Sequence, residues 1–231
     1  MKRKQGFTLA EILITLTVIG VVAALTIPTL LQNTNQAELK TALKRDFADF
    51  SQATLSIVND NGGSLANAFR NGAGGALDSE NLKNAYKSKL SYIKDCSGTS
   101  DFGGTSTSGA SGEGCWHATN NWKFLNGTLR TSMSYPALIL SNGTLVFIGM
   151  SKSDCTQKVG DFYRCGWIYF DVNGFKMPNT MGKDIFNAML TENGLLPTGA
   201  KNFFDPSSDC NLSNTMGTNN GYGCTAKYLY E

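Results

Sequence analysis

The sequence predicts an α+β protein: one long N-terminal helix, transmembrane in its first half and amphipathic in its second, packed on an antiparallel β-sheet head. Three observations predict it. An apolar run from Phe7 to Leu31 follows a basic start. Helical periodicity then continues through polar sequence as far as a glycine stop. Short apolar runs separated by Asn-Gly pairs occupy the second half of the chain.

The size and charge of the chain bound what it can be. A chain of 231 residues holds one domain, or one domain plus an appendage. The net charge is +2 and only 16% of residues are charged, so nucleic-acid binding through bulk charge is not predicted. One histidine argues against a His-rich metal centre. The mean hydropathy of −0.18 is that of a soluble protein, but it averages over an uneven distribution. From Ile12 to Ala37 there is no Lys, Arg, Asp or Glu.

The first element follows from that distribution. Lys2, Arg3 and Lys4 precede the apolar run, and basic flanks stay on the cytoplasmic side of a membrane, so the rest of the chain is expected to face outward. As a helix, the run from Phe7 to Leu31 would measure about 37 Å, enough to cross a hydrocarbon core with some tilt. Ala23-Ala24-Leu25 weakly imitates a signal-peptide cleavage site, but the apolar run continues through Ile27, Leu30 and Leu31. Two features depart from a plain anchor. Gly6-Phe7 sits between the basic cluster and the apolar run, where a cytoplasm-facing protease can reach. Glu11 lies inside the apolar stretch, where an unpaired charge costs roughly 2.5–3.5 kcal/mol at a helix centre and less near the edge.

Gly6, then Phe7-Thr8-Leu9-Ala10-Glu11, then Ile12 to Gly20, resembles the class III signal of type IV pilins and type II secretion pseudopilins. The resemblance covers residues 1–58 well and the rest in outline. It implies cleavage between Gly6 and Phe7 by a prepilin peptidase and N-methylation of the new Phe7 terminus. It implies that Glu11 neutralises the Phe7 amine of a neighbouring subunit, and that Gly20 and Pro28 are helix-softening positions in a region that melts on assembly. The implied partners are sister pilins, the prepilin peptidase, an assembly ATPase with its inner-membrane platform, and the membrane itself. The implied location is the bacterial inner membrane, single-pass with a periplasmic or extracellular head, and then a pilus or pseudopilus. A buried pair of opposite charges attracts strongly, but desolvation offsets much of the gain. The Phe7–Glu11 pair is therefore expected to act on register, since a misplaced subunit leaves two buried charges unpaired.

The second half of the helix is amphipathic. Leu39, Leu43, Phe47, Phe50, Thr54 and Val58 recur at steps of three and four and form one stripe that a sheet of the same chain should cover. Asn59-Asp60-Asn61-Gly62-Gly63 is a strong stop. One helix from Phe7 to about Val58 would be about 78 Å long. Pro28 should interrupt its backbone hydrogen bonding, because proline lacks the N–H and crowds the preceding turn. The predicted organisation is a basic leader over 1–6, a transmembrane assembly helix over 7–31, an amphipathic helix over 32–58, and a disulfide-bonded pilin-like head over 59–231.

Within the head, Leu82, Tyr86, Leu90 and Ile93 have helical spacing, after a Gly72–Gly75 link with no Lys-Ser/Thr to make it a phosphate loop. Between Cys96 and Cys115, 14 of 18 residues are Gly, Ser or Thr, so this segment should be a surface loop without a core of its own. Tyr135–Leu140 and Leu145–Met150 flank Ser141-Asn142-Gly143-Thr144 and read as a hairpin. Gly166–Val172 reads as a third strand ended by Asn173-Gly174. Asp184–Leu190 reads as a short helix between loops at Met177-Pro178-Asn179 and Leu195–Gly199. The tail, Tyr228-Leu229-Tyr230-Glu231, reads as an edge strand.

Six cysteines allow fifteen pairings. Neighbour pairing is the simplest: Cys96–Cys115, Cys155–Cys165 and Cys210–Cys224. No Cys-x-x-Cys suggests a metal site, and a disulfide framework fits an oxidising compartment. His117 reads as a surface or packing histidine. A nucleophilic triad finds no Gly-x-Ser-x-Gly elbow, and no cofactor is predicted. Asp171, Asn173 and Asp184 carry oxygens of the kind that ligate calcium. However, EF-hand spacing is absent, and the segment does not match the calcium loop of some pseudopilins, so it reads as a turn at a strand end. The function expected from this reading is that of a non-catalytic filament subunit. The alternative is a membrane-anchored extracytoplasmic binding domain or enzyme that does not polymerise. Pilus and secretion pseudopilus remain equally open.

Overall fold

A computed structural model of the chain describes residues 7–70, 76–96, 122–130, 135–200, 210–211 and 220–231. Helix α1 spans Leu9–Asp60 and α2 spans Ala76–Lys87. Strands β1 (Tyr92–Cys96), β2 (Trp122–Lys123), β3 (Leu129–Arg130), β4 (Ala137–Leu140) and β5 (Leu145–Met150) follow. Then come β6 (Gln157–Val159), β7 (Phe162–Asp171), β8 (Ile185–Thr191) and β9 (Gly194–Pro197), and finally helix α3 (Cys224–Tyr230). The chain divides into two compact units, Met1–Glu38 and Leu39–Glu231, with α1 running through the division.

In the first unit, Leu9–Pro28 is a 20-residue stretch long and apolar enough to cross a membrane. α1 stays helical past Pro28. The missing N–H removes one rung of the ladder, and the residues around it carry the helix. The sequence-based expectation of a break is therefore met only as a lost donor.

The second unit is α+β and pilin-like. Among the described residues its main sheet has seven strands, all paired antiparallel, in the order β1-β4-β5-β7-β8-β9 with β6 on the outer part of β7. The amphipathic part of α1 and helix α2 cover one face. Leu43, Phe50, Ala53, Ile57 and Val58 of α1 and Leu82 and Tyr86 of α2 pack with Leu138, Val146, Ile148, Ile168, Phe170 and Phe186. The predicted stripe is the buried face, with Leu39 and Phe47 at its margin. Phe50 meets Tyr86 and Phe170 with ring centroids 5.1 and 5.2 Å apart. The Thr54 hydroxyl donates to the Phe50 carbonyl and lies 2.6 Å from the Tyr86 hydroxyl.

Asp46, fully buried on α1, ties the helix to the β4–β5 hairpin. It accepts from the Asn142 amide at 2.8 Å and from the Thr144 hydroxyl at 2.6 Å. The hairpin can present both groups because Gly143 takes φ +89°, which closes the turn. The opposite face of the sheet is buried too, by Ala137, Ile139, Phe147, Trp167, Tyr169 and Met189 with Trp122 and Tyr222. Gly149 allows this cover to approach closely, since a Cβ there would sit 2.4 Å from the Tyr135 ring.

Three sequence expectations are corrected. Asp184–Leu190 is not a helix: Ile185–Thr191 is strand β8, paired with β7 and β9. Its residues are buried on both faces of the sheet, and such a strand gives a continuous apolar run without period-two alternation. Ile93 does not continue the helical series of Leu82 and Tyr86. That helix ends at Lys87, and Ile93 lies in β1. The tail is helix α3, whose Tyr228 ring meets Phe186 edge-on at 5.9 Å. The Gly72–Gly75 link, His117 and the Gly/Ser/Thr-rich segment lie outside the described residues.

Candidate assembly segment

The segment that carries chemistry begins where α1 begins. Phe7 is 84% exposed, and Gly6 lies outside the described residues. Thr8 occupies the N-cap position of α1 and Glu11 its third turn position. One Glu11 carboxylate oxygen accepts from the Thr8 N–H at 2.7 Å and from the Thr8 hydroxyl at 2.8 Å. The Glu11 N–H in turn donates to the Thr8 hydroxyl oxygen at 3.3 Å. This is a reciprocal capping box, which satisfies two otherwise orphaned helix-end donors. Thr8-x-x-Glu11 is itself the sequence signal for such a box. Treating Glu11 only as a lone acid overlooks it. Within its own chain, the carboxylate already has a partner.

The apolar helix handles its other polar groups in the same local way. The hydroxyls of Thr17 and Thr26 donate to the carbonyls of Leu13 and Val22, four residues back, at 2.7 and 2.9 Å. Thr15 shares its hydroxyl between the Glu11 and Ile12 carbonyls, both at 3.0 Å. These polar groups need no partner outside the helix, which suits a hydrocarbon environment. The large apolar side chains, among them Leu9, Ile14, Ile19 and Leu25, are exposed. Around Gly20 there is nothing within 4 Å of the position a Cβ would take, so packing within the chain does not require a glycine there.

In the second unit, Cys155 is bonded to Cys165 and Cys210 to Cys224. Cys96 is also disulfide-bonded, while Cys115, its expected partner, lies outside the described residues. The Cys210–Cys224 bridge ties the start of α3 to Cys210, and α3 lies against β8, where the Asn187 N–H donates to the Thr225 hydroxyl at 3.1 Å. The approach is close, since a Cβ on Gly182, at φ +79°, would lie 2.5 Å from the Cys224 sulfur.

A groove of about 490 Å³ lies between α1, the α2–β1 connection and the β4–β5 hairpin, lined in part by Asp49, Gln52, Ser56, Lys89 and Asn142. Its one lysine is engaged by Asp60 at 2.6 Å.

Residues 1–27 match the family model described as the prokaryotic N-terminal methylation motif. That motif is the signature of type IV pilins and pseudopilins. No curated protein and no solved structure matches the chain.

Proposed function

We propose that the chain is a prepilin-like structural subunit, cleaved after Gly6, N-methylated at Phe7 and assembled through its apolar helix into a type IV pilus or a type II secretion pseudopilus. The observation that carries this reading is the methylation motif over residues 1–27, placed on an exposed apolar helix whose first turn holds a carboxylate. Before assembly the helix is held in the inner membrane, with the leader inside and the head outside. Cleavage exposes a cationic amine at Phe7. In the filament, Glu11 exchanges its Thr8 contacts for the amine of an adjoining subunit, and an out-of-register neighbour leaves both charges buried and unpaired. Loss of the three leader cations takes the charge from +2 to −1, low enough for dense packing without strong self-repulsion. The work is mechanical rather than catalytic. A prepilin peptidase, an assembly ATPase with its membrane platform and sister pilins act on or with it.

Intact-mass analysis of the chain made with and without a prepilin peptidase tests the reading. The expected product has lost six residues and gained one methyl group. A chain that keeps its initiator methionine in processing-competent cells overturns it. Glu11→Gln should leave cleavage unchanged. It should weaken subunit association by on the order of a hundredfold or more, because stranding one buried charge costs about 3–5 kcal/mol. Sheared-filament yield reads this directly.

A further inference from the structure

The loop between β7 and β8 leaves large apolar side chains exposed. Phe175 is 43% exposed and Met177 65%, with the exposed Lys176 between them. Lys183, exposed on the same connection, adds a second cation. The acids of this connection, Asp171 and Asp184, are fully buried behind it. An exposed surface that mixes apolar and cationic groups suits the boundary between lipid and water.

Contacts place this loop at the end of the second unit where α1 enters it. Asp46 of α1 holds Asn142 and Thr144 of the β4–β5 turn. That turn meets the β7–β8 loop, since a Cβ on Gly174 would lie 2.6 Å from the Gly143 carbonyl oxygen. The loop also meets the start of α3, through Gly182 and Cys224. From here β8 runs to the far end, where Gly194 lies beside Leu55 of α1. At the other terminus of α3, Glu231 binds Lys40 of α1 at 2.7 Å, and Lys40 lies over the Tyr228 ring. The hydrogen bond from Lys40, and then the charges of Lys40, Lys227 and Lys44, hold the Glu231 carboxyl below its usual value, so cations gather around this acid. Tyr230, beside it, is 73% exposed.

Lipid is within reach of this end of the head. Leu39, the first residue of the second unit, follows the apolar span at Pro28 by eleven residues, at most about 40 Å of chain. A tether this short keeps the local concentration of membrane surface high, so even a weak contact is populated. Lysines clustered next to a span are drawn to anionic headgroups, and aromatic side chains favour the interfacial layer. We infer that this end of the head docks on the outward leaflet of the membrane that α1 spans, by way of anionic phospholipids. Lys176 and Lys183 meet the headgroups, and Phe175 and Met177 enter the layer beneath them. The inference rests on the proposed membrane insertion of α1, and it needs neither cleavage nor a filament.

The test uses the full chain reconstituted in vesicles whose lipids are brominated near the headgroup. Phe175→Trp supplies the probe, and the parent chain gives the background of the native tryptophans. In vesicles of equal parts phosphatidylglycerol and phosphatidylcholine, the probe should be quenched well beyond the parent. Phosphatidylcholine alone should remove most of that added quenching. So should raising the salt from about 0.01 M to about 1 M, which shortens the screening length from about 30 Å to about 3 Å. Adding Lys176→Glu and Lys183→Glu to the probe chain should lower the ratio of docked to undocked heads at least about thirtyfold, because one lysine near an anionic surface is worth about fivefold. Lys158→Glu, on the exposed β6 at the far end of β7, should change nothing. Equal quenching with and without phosphatidylglycerol overturns the inference. If quenching does not exceed the parent's and the two reversals instead lower filament yield, the surface joins subunits and the inference fails. A chain that does not float with the vesicles refutes membrane insertion, and this inference with it. One that floats without added quenching refutes docking alone.

Discussion

Lys83 lies on α2 with its side chain fully buried, an unusual position for an ammonium group. Two carboxylates justify it: Glu80, one turn back at 2.7 Å, and Asp95 on β1 at 2.5 Å. Lys87 binds the other oxygen of Asp95, so one carboxylate clasps α2 to the edge strand. Partial burial pushes the Asp95 carboxyl upward, but the two lysines outweigh it and hold the carboxyl below its usual range. The folded chain therefore releases this proton more readily than the unfolded one. Stability from the clasp is complete above the unfolded value, near 3.9, and is lost as pH falls through and below it toward the folded value. Denaturant titrations from pH 7 down to pH 3 should show this loss, and Asp95→Asn should flatten it. At pH 7 that substitution should cost about 2 kcal/mol, less than the 3–5 kcal/mol of a wholly broken buried pair, because Glu80 remains. An unchanged acid limb in Asp95→Asn would assign the acid sensitivity elsewhere.

Among the elements, α1 carries two tasks in one continuous helix, and its residues divide accordingly. From Leu9 to Leu30 its large apolar side chains are exposed, and beyond Leu39 an apolar stripe is buried under the sheet. The stripe could be read from spacing alone, because a helix packed on a sheet imposes a 3.6-residue period on its contacts. The same logic found the β4–β5 hairpin, where Asn142-Gly143 marks the turn. It failed at β8, where burial on both faces erases the alternation that distinguishes strand from helix. It failed again at α3, seven residues long, where periodicity has too few turns to register. Nor could spacing reveal Asp46, whose partners lie 96 and 98 residues away on the hairpin. Phe50 tests whether the stripe holds the two layers together. It is fully buried between Tyr86 and Phe170, so Phe50→Ala should cost about 3–5 kcal/mol. Chemical denaturation of the detergent-solubilised chain measures it. A cost below about 1 kcal/mol, the range of tolerated core swaps, would mean that the helix is not seated as described.

For the molecule as a whole, charge and sulfur chemistry make one joint statement about orientation. The cations of the leader, Lys2, Arg3 and Lys4, favour the cytoplasmic side of the membrane. The second unit carries the bonded pairs Cys155–Cys165 and Cys210–Cys224, and such bonds persist where thiols are not kept reduced. Both features fit the proposed topology, in which the apolar helix crosses the membrane once and the head lies outside. Alkylation of whole cells followed by mass analysis reads this orientation without any filament being formed. Cys155, Cys165, Cys210 and Cys224 should all resist the reagent, and all four should react after reduction. Replacing Lys2, Arg3 and Lys4 by Gln removes the orienting charge while leaving the span intact. A fraction of that variant should then insert with its head inside, where the four sulfurs stay reduced and alkylate directly. Those molecules should also escape formation of the Cys210–Cys224 bridge that holds α3, so a protease added to opened cells should cut their C-terminal region first. If the neutral-leader variant keeps every sulfur protected, the leader charges do not set the topology, and the length and polarity of the apolar span must do so by themselves. If the parent chain alkylates without reduction, the head is not in an oxidising compartment, and outward exposure fails together with the filament that depends on it.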